Sequence, residues 1–509
     1  MENSLGLKST SIVSNFTLII LPKTDDRKPK TQTKESTMIN VDELRARYAA
    51  AGHDHVFQYM HDLSDNEKEE LIEQLSGIEL ERLASLLASA QAEVTDDSLV
   101  EPFLGTVGRS SDESIIKSAG NLGLQAIANG QVAAVVLAAG QGSRLCYDGP
   151  KGMYDIGLPS GRTLFAMMAQ RIKKLGQLAA ATSSDTTAAI NLPFYIMTSP
   201  LNHAATVAYF EENSYFGLAK DSVFMFQQCM LPCLTEEGKL MMESRGKVAM
   251  APDGNGGVYA SMSQSGALSK MKLQGVKYLH IFSIDNALVK PADPLFIGYC
   301  LQQSADCGNK VVWKAHAHEK VGVVASKAGK PCIVEYSEIT KTMAEQTGEQ
   351  GRLVFGAGNI CNHFYTLDFI HNKILANVGD LYHIAYKKIP YCDPATGETI
   401  TPTANNGIKL ETFIFDVFPM SEKMAVLVVE RSDEFAPVKN KAGSPSDSPD
   451  TACAMIFALA KQWVLSAGGT LVEDKDNAVC EISPLLSYAG EGLESVVQKN
   501  MACPLRLEL

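Results

Sequence analysis

The stretch from Val132 to Lys151 constrains this chain more than any other. It opens on an uninterrupted apolar run, Val132-Ala-Ala-Val-Val-Leu137, and empties into Ala138-Ala-Gly140-Gln-Gly142-Ser-Arg144, with Pro150-Lys151 close behind. A run apolar at every position predicts a strand buried on both faces, as in a parallel sheet covered by helices. Glycines at 140 and 142 allow a sharp turn and a close approach of ligand to backbone. Arg144 and Lys151 add two positive charges, so the stretch reads as a cradle for a nucleotide polyphosphate. Two standard phosphate loops do not fit. The dinucleotide fingerprint needs a third glycine where Leu145 stands, and the P-loop needs Gly-Lys-Ser/Thr where Lys151 lies between Pro150 and Gly152. On spacing alone the loop reads equally well as a structural turn.

The surrounding pattern alternates strands and helices. Phe194 to Thr198, Tyr278 to Ile284, Lys310 to Trp313, Cys332 to Tyr336 and Met424 to Val429 read as strands. Thr163 is placed to cap a helix carrying Leu164, Phe165, Met168, Ile172 and Leu175 on one stripe. This order predicts a doubly wound α/β sheet, in which ligands bind at the carboxyl ends of the strands. Before it, Val41 to about Gln91 is helical in pattern, with capping-box spacing at Ser64 and Glu67. The expected organisation is an extension over 1–38, rich in Lys, Thr, Ser and Asp and read as disordered; an N-terminal helical lobe over 39–128; a central catalytic domain over 129–440; and a small C-terminal domain over 441–509. Lys441 to Asp450, rich in Gly, Ser, Pro and Asp, reads as the loop joining the last two.

Charge and cysteine content narrow the function. A net charge of -13 argues against general nucleic-acid binding. The 11 cysteines are odd in number and follow no framework, which suits reduced thiols and a cytoplasmic location. The apolar run at Phe16 to Leu21 is too short to span a membrane and lacks a basic leader, so no membrane association is expected, and Asn15-Phe-Thr17 carries no meaning as a glycosylation sequon. His53-Asp-His55, His316-Ala-His318 and the Cys229/Cys233 pair lack the flanking ligands of a metal site.

Other candidate residues are locally unremarkable. Ala251-Pro-Asp-Gly254-Asn255-Gly-Gly257 is rich in turn formers. Gln228 ends a Phe-rich strand, and its amide offers one donor and one acceptor, as a pyrimidine edge requires. Asp285 ends another strand, where a carboxylate can hold Mg²⁺ bridged to phosphate or simply cap a turn. Gly322, Glu335, Tyr336 and Asn359 each read as ordinary strand or turn residues, and Lys409 and Lys439 as solvated charges.

Together these strings are similar to those of the sugar-1-phosphate uridylyltransferases, in particular the eukaryotic UDP-N-acetylglucosamine pyrophosphorylases. The match rests first on Leu137-Ala-Ala-Gly-Gln-Gly-Ser-Arg-Leu145 and Pro150-Lys-Gly-Met-Tyr-Asp155, and extends from about Ser64 to the last hundred residues. It departs at Ala139, Cys146 and Cys229, where relatives usually have glycine. The resemblance implies a Rossmann-like, GT-A-like nucleotidyltransferase domain. It also implies reaction of UTP with N-acetylglucosamine 1-phosphate to give UDP-N-acetylglucosamine and pyrophosphate, with Mg²⁺ or Mn²⁺ as cofactor. Under it, Ala139, Gly140, Gly142, Gln228, Gly254, Asn255 and Asp285 bind the nucleotide, with Asp285 beside the metal. Gly322, Glu335, Tyr336 and Asn359 line the sugar pocket and Lys409 faces phosphate. Arg144, Lys151 and Lys439 carry the catalytic charge. The expected state is a monomer or homodimer. Use of N-acetylgalactosamine 1-phosphate or glucose 1-phosphate is the nearest alternative. A nucleotide-dependent oxidoreductase lacks its third glycine, and a non-catalytic sugar-nucleotide sensor has no need of four phosphate-facing cations.

Overall fold

The structure is a computed structural model that describes residues 40–92, 100–182, 190–348, 351–377, 379, 381–472 and 479–509. The extension expected over 1–38 lies outside the described residues. At the centre is an 11-stranded sheet. Its main path runs Thr106–Arg109, Met424–Val429, Cys307–Trp313, Ala357–Thr366, Tyr278–Ser283, Val132–Leu137, Phe194–Thr198, Val223–Gln227. All neighbours on this path are parallel except the two pairs made by Ala357–Thr366, which runs against both Tyr278–Ser283 and Cys307–Trp313. The expected parallel α/β sheet is therefore present with one reversed strand at its middle.

The Val132–Leu137 strand is buried at every position. Val132, Ala134 and Val136 enter one core, with Phe165, Met168, Ile172 and Phe296 from the helices on that face. Ala133, Val135 and Leu137 enter a second core, with Val258, Met262 and Leu268 on the other. Period-2 alternation between two apolar layers is why the run has no polar side. The helix Leu164–Thr182 begins where Thr163 Oγ1 accepts from the Ala166 N–H at 3.3 Å, and its apolar stripe is the one read from the sequence.

The N-terminal helices Val41–Ala50, Asp65–Ser76 and Leu80–Ala92 share a separate core with Leu234, Leu240, Val248, Tyr382, Ile408 and Leu410. The Ser64–Glu67 capping box is formed. Within the stretch expected as the lobe, Val107 pairs with Val426 in the central sheet. The helix Glu113–Ala128 likewise contributes Ala119, Ala126 and Ile127 to the core beneath the sheet. That helix carries the same apolar periodicity as the lobe, so pattern alone does not separate them. The C-terminal helix Pro449–Ser466 lays Ala452, Cys453 and Leu459 on this same core, and Arg162 pairs with Glu481 and Glu508 across the junction. Among the described residues, no helix is long and apolar enough to cross a membrane.

Candidate active site

The loop after Leu137 is anchored by a neighbour. Asn202 is buried, and its Nδ2 donates to the Ala138 carbonyl at 3.0 Å while its Oδ1 accepts from the Ser199 N–H at 2.7 Å. The loop then closes on itself: the Gly142 N–H donates to Gly149 at 3.0 Å and the Lys151 N–H to Gly140 at 3.3 Å. A Cβ added to Gly140 would meet no protein atom within 4 Å, whereas one on Gly142 would lie 2.8 Å from the Tyr147 ring. Gly140 thus presents bare backbone to open space, and Gly142 serves packing.

The two departures in this loop separate cleanly. Ala139 does not have a positive φ, while Cys146 sits at 57°, in the left-handed region, with its side chain exposed. A side chain there strains the backbone by about 1 kcal/mol relative to glycine. Cys146→Gly is therefore expected to raise the melting temperature and to change turnover only slightly, while Ala139→Gly gives no gain in stability. A fall in melting temperature for Cys146→Gly would show that the thiol stabilises the loop.

One carboxylate is paired with a lysine and feels two further cations. Lys151 Nζ lies 3.7 Å from Asp285 Oδ2 at the end of the Tyr278–Ser283 strand. Burial alone would raise the Asp285 carboxyl, but Lys151, Lys439 and Arg144, with a hydrogen bond from Ser283, hold it below the usual carboxylate range. Burial pushes Lys151 below the ordinary lysine range; Asp285 opposes that shift, and Lys439 and Arg144 reinforce it. Lys439 arrives because the segment Phe435–Lys439 runs alongside the strand end, with Val438 N–H donating to the Asp285 carbonyl at 2.8 Å and Pro437 bridged to Asn286. A chain of net charge -13 thus concentrates three cations around one anion, an arrangement suited to a strongly anionic ligand. The fourth expected cation is not in this group. Lys409 lies on the strand Gly407–Glu411, paired with His383–Lys387, and stands beside Cys233.

Gln228 is buried, and its Nε2 donates to Asp253 Oδ1 at 3.0 Å and to the Gly254 carbonyl. Burial pushes the Asp253 carboxyl up to about 6. Gly254 has a φ of 84°, and Asn255 Oδ1 accepts from the Ile414 N–H at 2.9 Å. The Thr412 N–H donates to Asp253 at 2.8 Å and the Gly256 N–H to Thr412 at 2.9 Å. The amide groups expected to touch ligand at Gln228 and Asn255 thus brace a loop sewn to Thr412–Ile414. Sequence reading missed Asn202, Asp253 and Thr412 as site supports. The Asn202 position before a helix was readable as a cap, but its reach to the glycine loop was not.

The sugar candidates meet on the adjoining side. The Asn359 N–H donates to Gly322 at 2.8 Å, and a Cβ on Gly322 would lie 2.7 Å from Glu335 Oε1. Burial, followed by Glu338, raises the Glu335 carboxyl, and Lys439 opposes them, so this group lies within reach of the Lys439 charge. Tyr336, next to Glu335, is 51% exposed. His53 and His55 both bond the Leu240 backbone, and among the described residues no group of three or more His, Cys, Asp or Glu is placed to share an ion.

Residues 108–495 match the family model described as UTP–glucose-1-phosphate uridylyltransferase. The chain is 40% identical to the UDP-N-acetylhexosamine pyrophosphorylase-like protein 1 of Xenopus tropicalis, over 93% of this chain and 96% of that one. It is 40% identical to UDP-N-acetylglucosamine diphosphorylase 2 of Arabidopsis thaliana, over 90% and 92%. Its fold is similar to that of the uridine diphosphate N-acetylglucosamine pyrophosphorylase of Trypanosoma brucei, solved with an inhibitor, with a TM-score of 0.80 and 31% identity over 91% of this chain and 95% of that one.

Proposed function

The chain belongs to the UTP–glucose-1-phosphate uridylyltransferase family, and from that membership we infer that it transfers the uridylyl group of UTP to N-acetylglucosamine 1-phosphate, giving UDP-N-acetylglucosamine and pyrophosphate. The observation that carries the assignment is the Lys151–Asp285 ion pair at the carboxyl ends of parallel strands, with Arg144 and Lys439 near enough to act on the same carboxylate. A sugar-phosphate oxygen attacks the α-phosphorus in line, and the bond to the bridging oxygen of pyrophosphate breaks. The attacking oxygen is already anionic, so no general base is needed, and catalysis reduces to alignment and charge neutralisation. Arg144 and Lys151 hold the triphosphate over the bare Gly140 backbone. Lys439 acts on both the Asp285 and the Glu335 carboxylates, which suits a cation where the transferred phosphorus and the sugar would meet. Gly322, Glu335 and Asn359 offer the sugar directional hydrogen bonds. The Gln228–Gly254 loop shapes the base site. Lys409 lies outside this group and is assigned no step. The helical lobe and the C-terminal segment flank this central unit.

Asp285 also fits Mg²⁺ or Mn²⁺. A hard cation at such a site keeps its waters and takes phosphate oxygens beside one or two carboxylates, which matches a lone acid next to a triphosphate site. When bound, such an ion supplies charge neutralisation for the departing pyrophosphate.

The test is pyrophosphate release from UTP with N-acetylglucosamine, N-acetylgalactosamine and glucose 1-phosphates, and from ATP and GTP with the first. The expected optimum is UTP with N-acetylglucosamine 1-phosphate. Purine nucleotides should be at least about a hundredfold poorer, because a site built for one hydrogen-bonding edge leaves polar groups unpaired against another. Equal turnover of all three nucleotides would sink the uridine reading, and a preference for glucose 1-phosphate would move the chain to the reaction its family is named for.

A further inference from the structure

Asn286 directly follows Asp285, just beyond the Tyr278–Ser283 strand. It is 1% exposed, and both ends of its amide are engaged. Nδ2 donates to the Glu434 carbonyl at 2.7 Å, and Oδ1 accepts from the Ala436 N–H at 2.9 Å and the Leu288 N–H at 3.1 Å. Glu434 and Ala436 flank Phe435, the first residue of the segment that delivers Lys439. The contact continues as a short ladder, with Ala287 N–H donating to Ala436 at 3.0 Å and Val438 N–H to Asp285 at 2.8 Å. One side chain therefore joins the segment carrying Asp285 to the segment carrying Lys439, and it needs an acceptor and a donor at once, as an amide provides and a carboxylate does not.

The partner that Asn286 grips is itself held from the core. Lys310, fully buried on the Cys307–Trp313 strand, sits between the carboxylates of Asp293 and Glu434, and Lys290 Nζ lies 3.3 Å from Glu434 Oε1. Burial would lower Lys310 and raise Asp293, but their mutual contact turns both shifts around. Glu434 is thus clamped at its backbone by Asn286 and at its carboxylate by Lys310, so the loop starts from a rigid point.

We propose that Asn286 is a positioning residue for uridylyl transfer, setting where Lys439 stands against Asp285 and acting on the reaction through Lys439. The proposal rests on the reading that Lys439 serves the reacting phosphates. Displacement of a charged group by an ångström can cost about a hundredfold in rate, which makes the anchor of a loop-borne lysine consequential.

A double-mutant cycle tests it, with kcat for pyrophosphate release expressed per folded molecule and folding followed by thermal melts. Asn286→Ala is expected to lower kcat about ten- to a hundredfold with KM for UTP little changed. In the Lys439→Ala background the same change should cost less than about threefold, because interacting residues are not additive. An equal factor in both backgrounds, or wild-type kcat per folded molecule in Asn286→Ala, overturns the proposal. Where Asn286→Ala does not fold, Asn286→Ser keeps a shorter hydroxyl in the same place, and the same non-additivity is required of it. A near-normal kcat in Lys439→Ala alone fails the underlying reading, and is distinguishable because it appears before Asn286 is touched.

Discussion

Lys439→Ala is expected to lower kcat about a hundredfold or more, the scale of removing one electrostatic stabiliser, while the melting temperature hardly moves. The backbone bonds that place residue 439 do not depend on its side chain: Val438 N–H still reaches Asp285, and the 439 N–H still reaches Asp447. Lys151 remains to face the Asp285 carboxylate at 3.7 Å, so no buried anion is left alone. The loss falls on the reaction because charge moves from the attacking to the leaving oxygens as the phosphorus is transferred, and a cation set there binds the transition state more strongly than the ground state. KM for UTP should change less than kcat. Steady-state pyrophosphate release beside a melt separates the two effects, and a mutant with near-normal kcat would remove Lys439 from the reacting centre.

Gly254→Ala should damage both fold and activity, whereas Gly140→Ala should damage activity alone. At Gly254 the new methyl would lie 2.2 Å from the Thr412 carbonyl oxygen, at a φ of 84°. The loop must swing away, giving up its bonds with Thr412 and the Gln228 contact. Strain of about 1–2 kcal/mol and two or three hydrogen bonds worth about 1 kcal/mol each add to a cost of about 3–5 kcal/mol. The melt should shift down by several degrees and KM for UTP should rise at least about tenfold. At Gly140 the methyl meets no protein atom within 4 Å. It projects into the space assigned to phosphate, so kcat/KM should fall with no change in melting temperature. Unaltered kcat/KM in Gly140→Ala would move the triphosphate elsewhere.

The features legible in the sequence were those written locally. The Met424–Val429 strand, the Thr163-capped helix and the Ser64 capping box stand where period and cap chemistry put them. The glycine loop could be read as a ligand cradle because its departure from turn chemistry is contiguous. What stayed hidden was long-range. Nothing near Asn286 announces partners at 434 and 436, and nothing near Lys310 separates a fully buried lysine from a surface one. The reversed strand Ala357–Thr366 carries Asn359, Asn362 and His363, so it lacks the unbroken apolar run of Val132–Leu137, and nothing local in it announces its direction. Lys409 illustrates the converse. Its string matches a family loop, yet the ribbon register that pairs it with Ala385 sets it beside Cys233, and it is not among the groups that act on Asp285.

That reversed strand has a consequence for how such a chain can diversify. Trp313 and Ala357 are paired in adjacent strands, so the excursion bearing Gly322 and Glu335 begins and ends at neighbouring points, and its own strand Val323–Lys327 joins the same sheet beside Gly358. Its two ends are pinned together whatever lies between them. The excursion is in effect an interchangeable cassette: it can lengthen, shorten or change chemistry without shifting the register of the strands that carry Gly140, Gln228 and Asp285. On the proposed assignment, most of what would set acceptor choice lies on a different stretch of backbone from what would set nucleotide choice, so a lineage could revise one while inheriting the other.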